Sequence, residues 1–475
     1  MLDALARAEH DAGVPGLLAA ADAVHAVAVT SWAYDGLAGQ VAARVGAAPR
    51  TLVDTGMGGH HPARLLDEAA ARVWAGDSDV ALVVGGEAQA SASVFRNAGT
   101  DPREAGWSAT PGGPPSFDLA DLGSPELLEA GLFLPVRVYP LYENRLQADL
   151  GQTPRQAAEH SARIYADYSR VAAQHPVAWD PEVRTPEHVL TGTRTVCEPY
   201  RLAVNAHPHV DQAAAVVVTS LERALALGVP ERQLVHVWGG AGADDDPDVL
   251  QRPGFGGSVA LGRALDACLT QAGTAVADVD LVDVYSCFPV VPKLVARHLG
   301  LDSDAVLTVT GGHSSFGGPF NSYSLHAVAT MVERLRAGAR TALVHANGGF
   351  LTKQHAVLLG AEAHPGGYVG RPEPEQVVSP PVPRRAVHDG LEVVVETATV
   401  EHGRDGSLQQ AFLVGLTDAG ERVVAATRAG DAAEAGVLSL DRLPPGATTH
   451  VGRRVRLSVH DGAVAVRPLD LSGAP

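Results

Sequence analysis

The sequence predicts an α/β protein of two pseudo-symmetric halves followed by a small all-β domain. One observation is a duplication. Gly58-Gly59-His60 opens a helix-like run to Ala75-Gly76, which leads to an apolar run at 79–84 and to Gly85-Gly86. Gly311-Gly312-His313 opens a second run to Ala337-Gly338, which leads to 341–344 and Gly348-Gly349, with an insertion at 314–322. Such a repeat sets two glycine-rich turns and two helix N-termini around one crevice. A second observation is that near-continuous apolar strands alternate with amphipathic helices, as in a sheet buried on both faces. A third is the run 372–383, which carries five prolines and is followed by alternating strands alone.

In order, an opening helix leads to a strand at 23–31, a helix at 37–45, a strand at 50–54, a helix at 62–74 and a strand at 80–84. Residues 99–124 turn to Gly, Pro and Asp and read as loop. Residues 125–200 are polar and helical, clearest at 154–173, and interrupt the α/β rhythm as an insertion over the crevice. A buried strand at 213–220 resumes it. The second half then reads as strand 234–239, helix 256–270, strand 279–285, helix 291–299, strand 306–310, helix 321–336 and strands 342–344 and 356–359. Strands at 392–399, 409–417, 422–427, 453–459 and 463–468 complete the tail. The expected domains are residues 1–232, with a lid at about 99–205, then 233–365, a proline-rich linker at 366–385, and a β-barrel at 386–475.

Composition narrows the function. The 475 residues exceed one ordinary core, and 46% of them are hydrophobic. No apolar run approaches the ~20 residues of a membrane span, and the opening lacks a signal-peptide apolar region. The only cysteines, Cys197, Cys268 and Cys287, have no recognisable pairing, which predicts a reducing cytoplasm. A net charge of −18 disfavours nucleic acid and anionic lipid as partners. Abundant Ala, Val, Gly and Arg with little Lys fit a GC-rich bacterial genome.

The doubled half, the run AGDSDVALVVGGEA, the insertion carrying YPLYENR and the segment PHVDQAAAVVVTS together resemble the thiolase superfamily. The nearest resemblance is to its sterol-carrier-protein-2-thiolase and thiolase-like type 1 branches, whose members are often called acetyl-CoA acetyltransferase. It covers about residues 1–365. It implies a five-layer αβαβα fold with an inserted loop domain. The tail resembles the additional C-terminal domain of the type 1 branch, similar to an oligonucleotide-binding-type barrel. The sequence opens directly at what resembles the family's first helix, so the expectation is either a truncated start or a differently built edge of the sheet.

The resemblance also implies where the chemistry should lie. The family's nucleophilic Cys, activated at a helix N-terminus, falls on Gly59. The His of its Gly-His-Pro motif falls on Gly318, and the Cys of its Cys-x-Gly-Gly motif on Ala346. The Asn that holds a catalytic water falls on Tyr285, in YSCF. Thiolase chemistry through an acyl-enzyme is therefore not expected. Tyr285, His60 and His313 are the candidate catalytic residues, each against a plain packing or loop role. Gly59, Asn321, Tyr323, Asn347 and Gly348 are expected to line the ligand site. Cys287 is read as structural. In the family the lid holds coenzyme A, so Arg137, Arg145, Arg163 and Arg201 are the candidate phosphate ligands. No metal or resident cofactor is expected, because the pairs His60/His61 and His207/His209 lack companion ligands.

The expected function is a cytoplasmic, lipid-metabolic thiolase-like protein that binds an acyl-CoA or related thioester, nominally an acyltransferase without the nucleophile. Two rivals stand beside it. One is a retro-aldolase acting on a β-hydroxyacyl-CoA, like the superfamily's sterol side-chain aldolases, which lack the Cys and partner a protein with an oligonucleotide-binding-type domain. The other is a non-catalytic thioester binder. Thiolases dimerise through the strand beside the nucleophile helix. The added tail and the missing first strand leave both a homodimer and a monomer open.

Overall fold

A computed structural model describes residues 1–460 and 463–469. The first half runs α1 (Leu2–Ala12), β1 (Ala23–Ala26), α2 (Leu37–Val45), β2 (Thr51–Asp54), α3 (His61–Ala75) and β3 (Val80–Ala88). The helix α4 (Gln89–Ala98) leads to the insertion: α5 (Pro125–Glu129), α6 (Pro135–Asp149), α7 (Pro154–Ala172), α8 (Pro186–Thr191), β4 (Thr195–Cys197) and β5 (Tyr200–Arg201). Then β6 (Asp211–Thr219) closes the half, and α9 (Leu221–Ala226) connects to the next. The second half comprises β7 (His236–Asp244), α10 (Val259–Gln271), β8 (Leu281–Val284), α11 (Val290–Leu299), α12 (Tyr323–Arg336), β9 (Thr341–Gly348), β10 (Lys353–Gly360) and β11 (Arg371–Gln376). The tail holds β12 (Leu391–His402), β13 (Leu408–Leu416), β14 (Arg422–Ala426), α13 (Ala432–Ala435), β15 (Arg454–His460) and β16 (Ala463–Pro468).

Local chemistry explains the boundaries. A left-handed glycine ends α2 and α3 (Gly46 and Gly76), because a residue with φ near +75° carries no Cβ penalty there. A capping box between Thr153 and Gln156, with Pro154 in the first turn, starts α7.

The first sheet has the order β2-β1-β3-β6, with β6 antiparallel to β3. The second has the order β11-β7-β10-β9-β8, with β10 antiparallel to β9 and to β7. The duplication is thus real: β1, β3 and β6 correspond to β8, β9 and β10. Between the sheets lie α3 and α12, whose Leu65, Leu66, Leu325 and Met331 share one core with Val83 and Val344. Outside them, α1 and α2 cover the first sheet and α10 and α11 the second. This is the five-layer αβαβα arrangement.

Three expectations are corrected. Residues 306–310 form no strand: only Leu307 O accepts a backbone bond, from Val284 N–H, while the buried Asp283 carboxylate takes the Val309 N–H and the Thr308 hydroxyl at 2.9 Å. The proline-rich stretch is not wholly a linker. Its Arg371–Gln376 pairs parallel with β7 as an edge strand, where prolines lacking an N–H are tolerated. The tail is not a closed barrel either. Its order is β14-β13-β12-β15-β16, and the two ends meet at a single bridge, Thr427 to Val464. Nor does it stand apart, because the lid's β4 adds to β12 and Phe412 and Val414 enter the lid's own core.

Candidate active-site crevice

The two duplicated turns meet. Gly59 stands at the entrance to α3 and Gly312 in a π-helical turn at Gly312–Phe316, and both adjoin the chain just after β8. Asn321 ties the halves together: its Oδ1 accepts from Gly58 N–H at 2.9 Å, and its Nδ2 donates to Ala28 O at 2.9 Å. The four positions at which the resemblance placed the reactive groups gather here, since Tyr285 borders Gly59 and Asn347 and donates to Phe320 O, two residues beyond Gly318.

Tyr285 fills the place of the nucleophile. A Cβ on Gly59 would overlap the Tyr285 hydroxyl and lie 2.5 Å from its Cζ and 2.6 Å from Asn347 O. A cysteine cannot enter without displacing the ring. Burial also pushes the phenol well above its ordinary range, so it stays protonated. Phe320, whose carbonyl receives that hydroxyl, holds φ 42°, a costly conformation for a bulky residue.

The Tyr285 ring centre lies 4.2 Å from that of His313, which in turn stacks on Tyr323 at 3.6 Å. His313 Nδ1 accepts from Ser286 N–H at 3.3 Å, and burial depresses its pKa well below the usual imidazole range. The ring is therefore neutral with its proton on Nε2, a donor that has no partner among the described residues. His60 Nδ1, Ser314 Oγ and Ser322 Oγ are likewise buried without partners there. His60 is held neutral by burial and by the neighbouring His61, and packs against Gly348. Asn347 is buried and bonded to Tyr139 Oη at 2.9 Å and Gln354 Nε2 at 2.7 Å. Tyr323 Oη bonds Thr310 Oγ1 at 2.7 Å. Burial pushes the Cys287 thiol up to about 12, which leaves it unreactive.

The lid arginines do not gather at the crevice as a set. Arg137 pairs with Glu401 of the tail at 2.8 Å and lies over the Phe412 ring. Arg145 pairs with Asp149 on its own helix, and Arg201 donates to Thr193 O. Arg163 is exposed and has no ion-pair partner among the described residues. Sequence spacing alone could not separate these roles, since Glu401 lies far along the chain.

Comparison with known proteins places this geometry. The family described as the thiolase-like protein type 1 additional C-terminal domain matches residues 372–454. An acetyl-CoA acetyltransferase of Pseudomonas aeruginosa is 32% identical over 142 residues, 30% of this chain and 34% of that one. One from Escherichia coli is 30% identical over 139 residues, 29% and 33% of the two chains. The match spans about a third of the length of these curated relatives. A crystal structure of a monomeric SCP2-thiolase-like protein type 1 from Mycobacterium smegmatis is similar over 97% of this chain and 92% of that one, at 28% identity and TM-score 0.76. The Ltp2–ChsH2(DUF35) aldolase (19% identity, TM-score 0.58, 74% of this chain and 90% of that one) has the same fold. So has human mitochondrial 3-ketoacyl-CoA thiolase (17% identity, TM-score 0.56, 76% and 92%).

Proposed function

We propose that this chain, which belongs to the thiolase-like proteins of type 1, binds an acyl-CoA or related thioester in its crevice without forming an acyl-enzyme. One observation carries the reading: the Tyr285 ring occupies the space a nucleophile on Gly59 would need, while His60, next to that glycine, and His313, against the ring, each keep a buried ring nitrogen without a partner among the described residues. Buried polar groups without partners are costly, so a polar ligand that satisfies them gains affinity. The His313 Nε2 proton suits a carbonyl oxygen such as that of a thioester. Of the four candidate lid cations, Arg163 has no ion-pair partner among the described residues and is available to a phosphate, whereas Arg137 holds the tail and Arg145 and Arg201 are engaged within the lid. A cytoplasmic setting fits three unpaired cysteines, and no helix among the described residues is long and apolar enough to cross a membrane.

The test is calorimetric titration with acetyl-CoA, acetoacetyl-CoA and longer acyl-CoAs, joined to intact-mass analysis. Binding without a covalent adduct and without thiolytic cleavage supports the reading. A stable adduct on Cys287, or thiolase-like turnover, overturns it.

A second reading is retro-aldol cleavage of a β-hydroxyacyl-CoA. It is supported by a phenol held in a dry crevice, with a thioester-facing donor in His313 and fold likeness to an aldolase. As the Cα–Cβ bond breaks, the neutral His60 would take the β-hydroxyl proton, and the protonated Tyr285 would give a proton to the enolate carbon, both groups recovering their states by exchange with solvent. Release of aldehyde or ketone by the wild type, lost in Tyr285→Phe with thioester affinity retained, supports this second reading over simple binding.

A further inference from the structure

The lid and the tail enclose a cleft of about 430 Å3 between them. Arg137 and Arg194 line it from the lid, and Glu401, His402 and Arg404 line it from the tail. It is separate from the active-site crevice. Tyr139 on α6 turns toward the crevice, donating to Gly349 O at 2.7 Å and accepting from Asn347 Nδ2 at 2.9 Å. Arg137 stands two residues earlier, about 200° around the same helix, and meets the tail instead.

In a chain of net charge −18, this cleft is basic. Its one lining carboxylate, Glu401, is shared with Arg137, which donates to Oε2 at 2.8 Å. The Arg194 guanidinium makes one hydrogen bond, to Thr195 O at 3.2 Å. Neither Arg194 nor Arg404 has an ion-pair partner among the described residues. Asp405, next to Arg404, is committed to Ser407, whose N–H and Oγ donate to its Oδ1 at 3.0 and 2.6 Å. His402 adds no free charge, because its Nε2 donates to the buried Glu198 at 2.8 Å.

Two uncommitted guanidinium groups from opposite walls suit a phosphate, whose three terminal oxygens can be bonded from both sides at once. A carboxylate, with two oxygens in one plane, serves a single fork. Acceptors stand beside the cations. Gln410 also lines the cleft, and its Nε2 is spent on Thr427 O at 2.7 Å, which leaves Oε1 to receive a hydroxyl, as Glu401 can.

We propose that this cleft binds a small phosphate ester bearing free hydroxyl groups, with Arg194 and Arg404 on the phosphate and Glu401 and Gln410 on the hydroxyls. The volume is that of a small-molecule site. Because one cation comes from the lid and the other from the tail, the bound ester bridges the two and stabilises their contact. The site does not depend on the thioester reading of the crevice.

The probes are glycerol 3-phosphate and methyl phosphate, titrated calorimetrically into the full chain at constant ionic strength. Both should bind, and glycerol 3-phosphate about fivefold or more tighter, since only it carries hydroxyls. Arg194→Gln and Arg404→Gln should each weaken glycerol 3-phosphate about tenfold or more. In the wild type, hydrogen exchange at 194–196 and 402–410 should slow on binding, a readout that stands even where a variant folds poorly. Absence of binding by both esters, affinities that neither substitution changes, or slowing confined to other segments overturns the proposal. Weakening by Arg163→Gln alone places the phosphate at the thioester's cation and also overturns it. Equal affinity for the two esters overturns the assignment of a hydroxylated ligand.

Discussion

At the residue scale, the crevice is decided by one exchange of volume. Where the family resemblance puts a small nucleophile and an Asn, this chain has Gly59 and Tyr285, and the ring stands over the glycine. Restoring the cysteine alone should not restore chemistry. Gly59→Cys would force the ring or the Asn347 carbonyl aside, and overpacking of this kind costs about 1–3 kcal/mol. The variant should melt lower than wild type and remain unmodified by acetyl-CoA in intact-mass analysis. Gly59→Cys with Tyr285→Asn should recover the lost stability, because the two sites compete for one space. If Gly59→Cys alone is as stable as wild type, the ring does not block that position. The identities at 59, 285, 318 and 346 were legible in sequence because the motif spacing around them is retained. The ring's placement was not, since it depends on a contact between residues from different halves.

At the element scale, the turns that meet in the crevice bring neutral histidines together: His60 and His61 at the start of α3, His313 in the π-turn, His326 on α12 and His345 on β9. Burial depresses all five, His61 and His326 to about 3 and His345 to about 4. For His60 and His61, the charges of Lys353 and Arg64 add to the effect. An unfolded chain takes up these protons below about pH 6.5, whereas the fold resists them. Their contribution to stability is therefore whole above pH 6.5 and is lost as pH falls toward the folded values. His402 in the tail runs the other way. Its bond to Glu198 raises its pKa, so its contribution is present in acid and fades as pH rises through the folded value. Urea unfolding should show stability declining from pH 6.5 to 5. His313→Asn should flatten that decline by about 1.4 kcal/mol per pH unit. An unchanged slope would mean that His313 is protonated in the fold.

The elements also show where sequence reading stops. The repeat, the apolar strands and the helix caps are local signals, and α2 and β16 fall on the residues their patterns mark out. Residues 306–310 carry a strand-like pattern too, yet Asp283 takes hydrogen bonds that a ladder would use. The reverse holds at 371–376, where prolines read as linker but sit on a sheet edge. Both outcomes depend on neighbours distant in the chain.

At the scale of the whole molecule, the tail is part of the body. Asn144 of the lid donates to Ala398 O at 2.8 Å, and Thr397 donates to Leu141 O at 2.6 Å. The buried pair Arg422–Glu396 is completed by the carbonyls of Leu250 and Arg252, which belong to the second half. Taking away one side would leave buried donors and charges unpaired, which is strongly destabilising. Lid, second half and tail should therefore unfold together as one transition, despite a length at which independent domains are the usual expectation. Phe412 tests this, because it belongs to the tail but is fully buried in the lid's core beneath Arg137. Phe412→Ala should cost about 3–5 kcal/mol and move the single calorimetric endotherm down as a unit. If the endotherm instead splits, with only a lower component moving, the tail is an independent domain, and the lid's Arg137 that contacts it would be dispensable to the body's stability.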